Sequence, residues 1–349
     1  MWIKSRGPGT TVSVPGVRLR RRPRAVRPAL ITGLAVAGLL LGGCSDPQSP
    51  LNPGGPSAQR ISNLWWALFG VAVVVWVVVV FLLVWALVLR RGPNVKPRSG
   101  GEKTVVIAGI IVPALILTGV YVGSLGVINA QAKPPQPSVL TIDVIGHEWW
   151  WEVRYPHFVT ANEIHIPVGK SVHVNLHTAD VIHSFWVPSL TSKTDLIPNK
   201  DNSTWLQADK AGTYRGQCAE FCGVEHAGMA FLVIAQPEAQ FQRWMADQAR
   251  PAQTPSGAQE AHGKDVFTSQ SCASCHTVRG TSADGKVGPD LTHFGSRRTI
   301  GAGSVPNNPG WLGGWISDSQ TIKPGNHMPP QPLAPEDLRA VISYLEGLK

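Results

Sequence analysis

"QCAEFCGVEHAGM", residues 217–229, sets Cys218, Cys222, His226 and Met229 within one short loop. Thiolate, imidazole and thioether groups together favour copper over magnesium or calcium. A single blue-copper site takes one Cys, two His and a weak axial Met. Two cysteines extend that pattern to two coppers sharing bridging thiolates, and a second histidine is then needed. His183, in "ADVIHSFWVPSL" (179–190), lies upstream where the first histidine of a β-sandwich copper site is expected. The same Cys spacing also permits a Cys218–Cys222 disulfide in an exported protein, although the His and Met in register weigh against it.

The loop sits in a β-rich texture. Over residues 134–250, runs such as "SVLTIDVIGHEWWWEVRY", "SVHVNLHTAD" and "GMAFLVIAQP" alternate in hydropathy and are punctuated by Gly, Pro and Asn. This predicts an all-β sandwich or barrel. Pro/Gly-rich "PAQTPSG" (251–257) is a linker, and the texture then turns helical over 258–349. There "SCASCHTV" contains Cys272, Cys275 and His276 in the attachment pattern for a c-type haem. A zinc site or a redox dithiol are the alternatives, but zinc needs a second ligand pair and this region has no further cysteine. Of four methionines, only Met328 falls here, in "IKPGNHMPP" (322–330), and it is the candidate sixth ligand, with His327 as the alternative. His/Met ligation raises the reduction potential, which suits electron transfer.

Upstream the chain is apolar. "RLRRRPRAVRPALITGLAVAGLLLGGC" (18–44) has a basic start, a short apolar run and small residues before Cys44. It reads as a signal peptide over 1–43, a third membrane helix being the competing reading. "LGGC" resembles a lipoprotein box, which makes Cys44 the lipidated mature N-terminus, followed by a polar tether over 44–60. Residues 61–90 and 104–129 are predicted transmembrane helices. Their connector, 91–103, is basic together with Arg90, so the positive-inside rule puts it in the cytoplasm and the later domains outside.

The 349 residues allow two or three domains, and the formal net charge of +9 misleads. Residues 1–43 hold eight Lys/Arg and no acid, leaving 23 basic against 22 acidic residues elsewhere. Residues 134–250 hold eight basic and twelve acidic residues. An external face of that sign suits a basic redox partner and excludes nucleic acid.

"GHEWWWEVRY", "IHSFWVPSLTSKTDLIPN" and "GQCAEFCGVEHAGM" resemble subunit II of the haem-copper cytochrome c oxidases over roughly residues 60–250. "VGPDLTHFGSR" and "PEDLRAVISYLEGL" resemble a class I cytochrome c over 258–349. Together they resemble the fused subunit II of a caa-type oxidase: a two-helix membrane hairpin, a cupredoxin domain and an all-α cytochrome domain. The resemblance implies that Cys218 and Cys222 bridge the two coppers of a CuA centre. His183 and Met229 would complete one copper, and His226 with the Glu220 carbonyl the other. It also implies a magnesium ion on the Glu220 carboxylate shared with subunit I, and electron entry at Trp149, Trp150 and Trp151, Trp149 being at the matching position. Core packing is the other reading of those tryptophans. Implied partners are the haem-copper subunit I, other oxidase subunits, an upstream cytochrome c or bc-type complex, and membrane lipid. The implied location is the bacterial inner membrane, with the large domains on its outer face. Glu102 lies further from Pro113 than the family's proton-channel glutamate and is not given that role. A quinol oxidase subunit would lack the copper ligands, which are all present here. A free-standing electron carrier or copper-delivery protein would not need the tryptophan cluster and the hairpin.

Overall fold

A computed structural model describes residues 48–89 and 101–349. The expected signal peptide, Cys44 and most of the basic connector lie outside the described residues.

Two helical stretches, Pro56–Val88 and Gly101–Gln131, are apolar and long enough to cross a membrane. At 1.5 Å per residue the 34-residue helix Pro56–Leu89 is about 51 Å long. That exceeds a hydrocarbon core of about 30 Å. In the second stretch a π-helical turn, Ile107–Ile111, leads into the helix Val112–Gln131. Pro113 has no N–H to return to the preceding turn, so a shifted hydrogen-bond ladder is expected just before it.

Within the expected tether, 44–60, the described residues are held against the β-domain. Gly54 N–H donates to Ser189 O (2.7 Å), Asp209 N–H donates to Gly54 O (2.8 Å), and the first helix begins at Pro56. Gly55 lies so close to the β-domain that a Cβ there would sit 2.1 Å from Gln207 O. The helix ends are tied in as well. Ser57 Oγ donates to Gln131 Oε1 (2.6 Å), and Trp205 Nε1–H of the β-domain donates to Gln131 O (2.8 Å).

The β-domain is a sandwich of two five-stranded sheets, as the alternating runs require. One sheet holds β1 (Leu140–His147), β2 (Trp150–Tyr155), β3 (Phe158–Ala161), β5 (Val172–Thr178) and β8 (Asn202–Leu206), in the order β3-β2-β1-β5-β8. The other holds β4 (Glu163–Pro167), β6 (His183–Trp186), β7 (Thr194–Leu196), β9 (Gly212–Cys218) and β10 (Ala230–Gln236), in the order β4-β10-β9-β6-β7. Alternate side chains from both sheets, including Val144, Val153, Val174, Leu176, Phe185 and Phe231, fill the space between them.

The last domain packs the helices Ala258–Ser269 and Pro335–Gly347 against each other through Phe267, Val341, Tyr344 and Leu345. At Gly263 a Cβ would fall 2.0 Å from Ala340 O, so only glycine lets the two backbones approach. This domain is helical except for one hairpin, Thr299–Ile300 with Val305–Pro306. The expected linker also does more than span a gap: Ala252 N–H donates to Arg279 O (2.9 Å), laying the segment along the helical domain.

Candidate metal and haem sites

Strand pairing assembles the first site. Strand β6 opens on His183 and β9 closes on Cys218, and the two strands pair with Phe185 opposite Cys218. The loop from β9 to β10 carries Glu220, Cys222 and His226, and ends at Met229, whose carbonyl accepts from Cys218 N–H at 2.8 Å. His183, Cys218 and Cys222 bring their ligand atoms within 4.8 Å of one another. Cys222 Sγ lies 3.8 Å from Cys218 Sγ, 3.6 Å from His226 Nδ1 and 3.8 Å from Met229 Sδ. Cys218 Sγ lies 3.8 Å from His183 Nδ1 and 3.2 Å from the Glu220 carbonyl oxygen. The two cysteines are therefore unbonded neighbours rather than a disulfide.

All six expected donors converge, and His183, Cys218, Cys222 and Met229 are buried. The hydrogen bond between the thiols pulls Cys218 down and pushes Cys222 up. Burial would lower His183, but hydrogen bonds with Asp180 and Cys218 outweigh it and hold the imidazole up at about 9. The Asp180 carboxylate accepts from His183 Nε2–H at 2.7 Å, which aims Nδ1 at the thiols. Gly146 makes room for that ring: a Cβ there would sit 2.7 Å from it. A largely buried set of two thiols, two imidazoles, a thioether and a carbonyl fits copper. The Glu220 side chain points elsewhere, its carboxylate 3.2 Å from Lys193 Nζ.

The second site is a cleft of about 1440 Å³, its open mouth included. Cys272, Cys275, His276 and Met328 all line it, with Phe267 and Ile316 among its apolar walls. The cysteines bracket a single helical turn, Cys272–Cys275, which gives both thiols to one side of the cleft. His276 Nδ1–H donates to Pro289 O at 2.8 Å, so the lone pair rests on Nε2. Met328 sits in a braced loop, where Asn326 Oδ1 accepts its N–H (2.9 Å) and its carbonyl accepts from Ser319 Oγ–H (2.7 Å). His327 lines the same cleft, but its ring lies 5.4 Å from that of Trp149 and its Nε2 3.8 Å from Glu148 Oε2. Arg297 lines the wall as well, and its buried Nε has no protein partner. A large apolar cleft with a free histidine nitrogen, a thioether, two thiols and an unpaired guanidinium nitrogen fits a haem with its acidic side chains.

The two sites share a wall. The three tryptophans diverge because Trp150 and Trp151 take opposite faces of β2 and Trp149 precedes the strand. Trp151 is core, fully buried with its ring 5.2 Å from that of Phe231. Trp150 stacks on His147 at 4.3 Å. Trp149, in the β1–β2 turn, lines the cleft while its Nε1–H donates to Cys222 O at 2.8 Å.

Sequence reasoning missed the residue that orients His183 and the residues that join the domains. Asp180 had a usable signal, three positions before His183. Arg297 and Lys323 had none, because their partners are remote in sequence. Lys323 Nζ is buried, and burial pulls it down to about 8, opposed by the Glu225 carboxylate.

Comparison with known proteins finds both domain families. The family described as "Cytochrome C oxidase subunit II, periplasmic domain" matches residues 158–236, and the family "Cytochrome c" matches 260–349. The first implies CuA copper and the second a haem. The chain is 36% identical to cytochrome c oxidase subunit 2 of Alkalihalophilus pseudofirmus, over 89% of this chain and 94% of that protein. It is 31% identical to cytochrome c oxidase subunit 2 of Bacillus subtilis, over 92% and 97%. A solved structure of the periplasmic domain of cytochrome oxidase subunit II from Bradyrhizobium japonicum is 33% identical, covering 32% of this chain and 95% of that one, with a TM-score of 0.32. With the Alkalihalophilus and Bacillus sequences spanning nearly the whole length, and both a copper-type and a haem-type domain in place, the chain belongs to the cytochrome c oxidase subunit II family, in a form that carries its own cytochrome c domain.

Proposed function

We propose that this chain is the electron-entry subunit of a terminal respiratory oxidase. In this reading, electrons from an upstream cytochrome c or bc-type complex reach a haem c on Cys272, Cys275, His276 and Met328. They pass to a dinuclear CuA centre on His183, Cys218, the Glu220 carbonyl, Cys222, His226 and Met229, and leave for the haem-copper subunit I, where oxygen reduction is coupled to proton translocation. The observation that carries this reading is the shared wall: Trp149 lines the haem cleft and hydrogen-bonds the backbone of Cys222.

When bound, copper and haem supply reversible one-electron chemistry. The chain's residues do the rest. Cys218 and Cys222 offer bridging thiolates, and Asp180 and Pro289 fix the two histidine tautomers. The braced 323–328 loop presents Met328, and apolar walls exclude water, which keeps the dielectric low around both sites. A magnesium ion on the Glu220 carboxylate is a further proposal and requires Lys193 to yield that carboxylate.

The test is metal and haem analysis of the purified membrane complex. The reading expects two coppers and one covalently held haem c assignable to this chain, together with a co-purifying haem-copper subunit. Haem and copper in a chain that purifies alone from membranes would instead favour a free-standing carrier.

We also propose that the chain is a lipoprotein of the bacterial cell membrane, cleaved before Cys44, with its two helices spanning the bilayer and its domains on the outer face. Mass spectrometry of the N-terminal peptide should find a diacylglycerol-modified Cys44 and none of residues 1–43. Recovery of Met1 in the assembled complex would show an uncleaved anchor.

A further inference from the structure

Several contacts join the cytochrome domain to the β-domain. Ala230 N–H donates to Ala302 O (2.9 Å), Arg298 N–H donates to Glu163 Oε1 (2.6 Å), and the Arg297 guanidinium reaches Thr160 Oγ1 (3.4 Å). At the centre of this seam lies Lys323, only 3% exposed. Its Nζ donates to Trp149 O (2.8 Å), Gly228 O (2.8 Å) and Gly301 O (3.0 Å). An ammonium has three donors, and here all three are used.

The position of those acceptors matters. Trp149 is the wall between the two sites, and Gly228 is the residue before Met229. Gly301 begins the turn whose Ala302 carbonyl holds Ala230, the residue after Met229. Lys323 itself lies on the loop that presents Met328. One side chain thus ties the Met loop of the haem cleft to the Met end of the copper loop and to the tryptophan between them. A lysine at an incidental domain contact would extend its ammonium into water, because burying that charge is strongly unfavourable unless every hydrogen bond is met. Adjacent features fit a close dock. Gly325, at φ +88°, turns the loop at a point where a Cβ would meet Val224 Cγ2 at 2.8 Å.

We propose that Lys323 is a positioning residue: its ammonium bolts the haem-bearing domain onto the copper loop, so that the two sites are held in one fixed arrangement rather than meeting by diffusion on a linker. This rests on the reading that the haem of this chain feeds its copper centre.

Two measurements on the intact, metal-loaded complex test it. In the wild type, acetylation of lysines followed by mass spectrometry should modify exposed Lys210 and Lys286 readily and leave Lys323 protected; labelling of Lys323 at the rate of Lys286 overturns the proposal. In Lys323→Met, flash-initiated haem-to-copper transfer should slow several-fold or more, because the two sites then meet only in transient encounters. The transfer should also become dependent on viscosity, while the optical signature of methionine ligation at the haem and the copper spectrum stay as in the wild type. Lys323→Arg should restore part of the rate. An unchanged rate and viscosity profile in Lys323→Met would refute the bolt, because a residue that only stabilises its own domain moves neither. If the variant fails to assemble, the wild-type labelling decides. If the wild type itself transfers no electron from haem to copper, the functional reading fails instead, and the labelling still reports whether the dock exists.

Discussion

The Cys222→Ser complex should contain no dinuclear copper. Cys222 is the hub of the site, with the second thiol, one imidazole and the thioether all within 3.8 Å of its sulfur. Serine keeps nearly the same volume but replaces a soft thiolate with a hard hydroxyl, a poor partner for copper. With one bridge gone, Cys218 is a terminal ligand at most. Copper content should therefore fall from two to one or none, and the electron paramagnetic resonance signal of a mixed-valence pair should vanish. The fold should survive, because the Cys222 carbonyl still accepts from Trp149. The loss of one thiol hydrogen bond is worth only about 0.5–1.5 kcal/mol. Covalent haem attachment at Cys272 and Cys275 should be untouched, which makes the haem spectrum an internal control. Two coppers and an unaltered signal in Cys222→Ser would remove this residue from the site.

The parts of this molecule that were legible in the sequence are those set by local chemistry. The apolar runs, the alternating strands and the two cysteine motifs are patterns whose meaning is complete within a few tens of residues. Their convergence followed once strands β6 and β9 paired. What could not be read was the seam. The carbonyl partners of Lys323 lie 174, 95 and 22 residues away, and no periodicity announces such a contact. Strand β4 illustrates the same limit. All of "EIHIP" is buried, where alternation would leave Glu163 and His165 exposed. Arg298 N–H covers the first, and the Trp244 ring stacks on the second at 3.9 Å. The tryptophan triplet was equally ambiguous, because where the turn ends and strand β2 begins, not residue type, decides that Trp151 packs the core and Trp149 faces the cleft.

Met328→Leu should lower the haem potential and leave the copper site unchanged. Thioether ligation favours the reduced iron, and axial ligands move haem potentials over a span of about 0.8 V. A fall of about 0.1 V is a conservative expectation, equal to roughly 50-fold in a one-electron equilibrium at 59 mV per tenfold. Leucine nearly fills the space of methionine, so the braced loop should persist through its bonds to Asn326 and Ser319. The haem should then be reduced more reluctantly by an upstream donor, and a redox titration of its optical band reads the shift directly. His327 is the neighbour that could substitute, yet its ring is committed to the domain boundary beside Trp149 and Glu148. An unchanged potential would mean that His327, not Met328, reaches the iron. The wild-type complex also separates docking from diffusion. Residues 258–349 carry eight basic and eight acidic side chains, so this domain has no net charge to steer it toward the acidic β-domain. Its contacts are buried hydrogen bonds, which salt screens weakly. Haem-to-copper transfer in the wild type should therefore hardly change across a salt series. A steep decline with salt would show that the electron enters the copper site from a diffusing, charged partner and bypasses the haem of this chain.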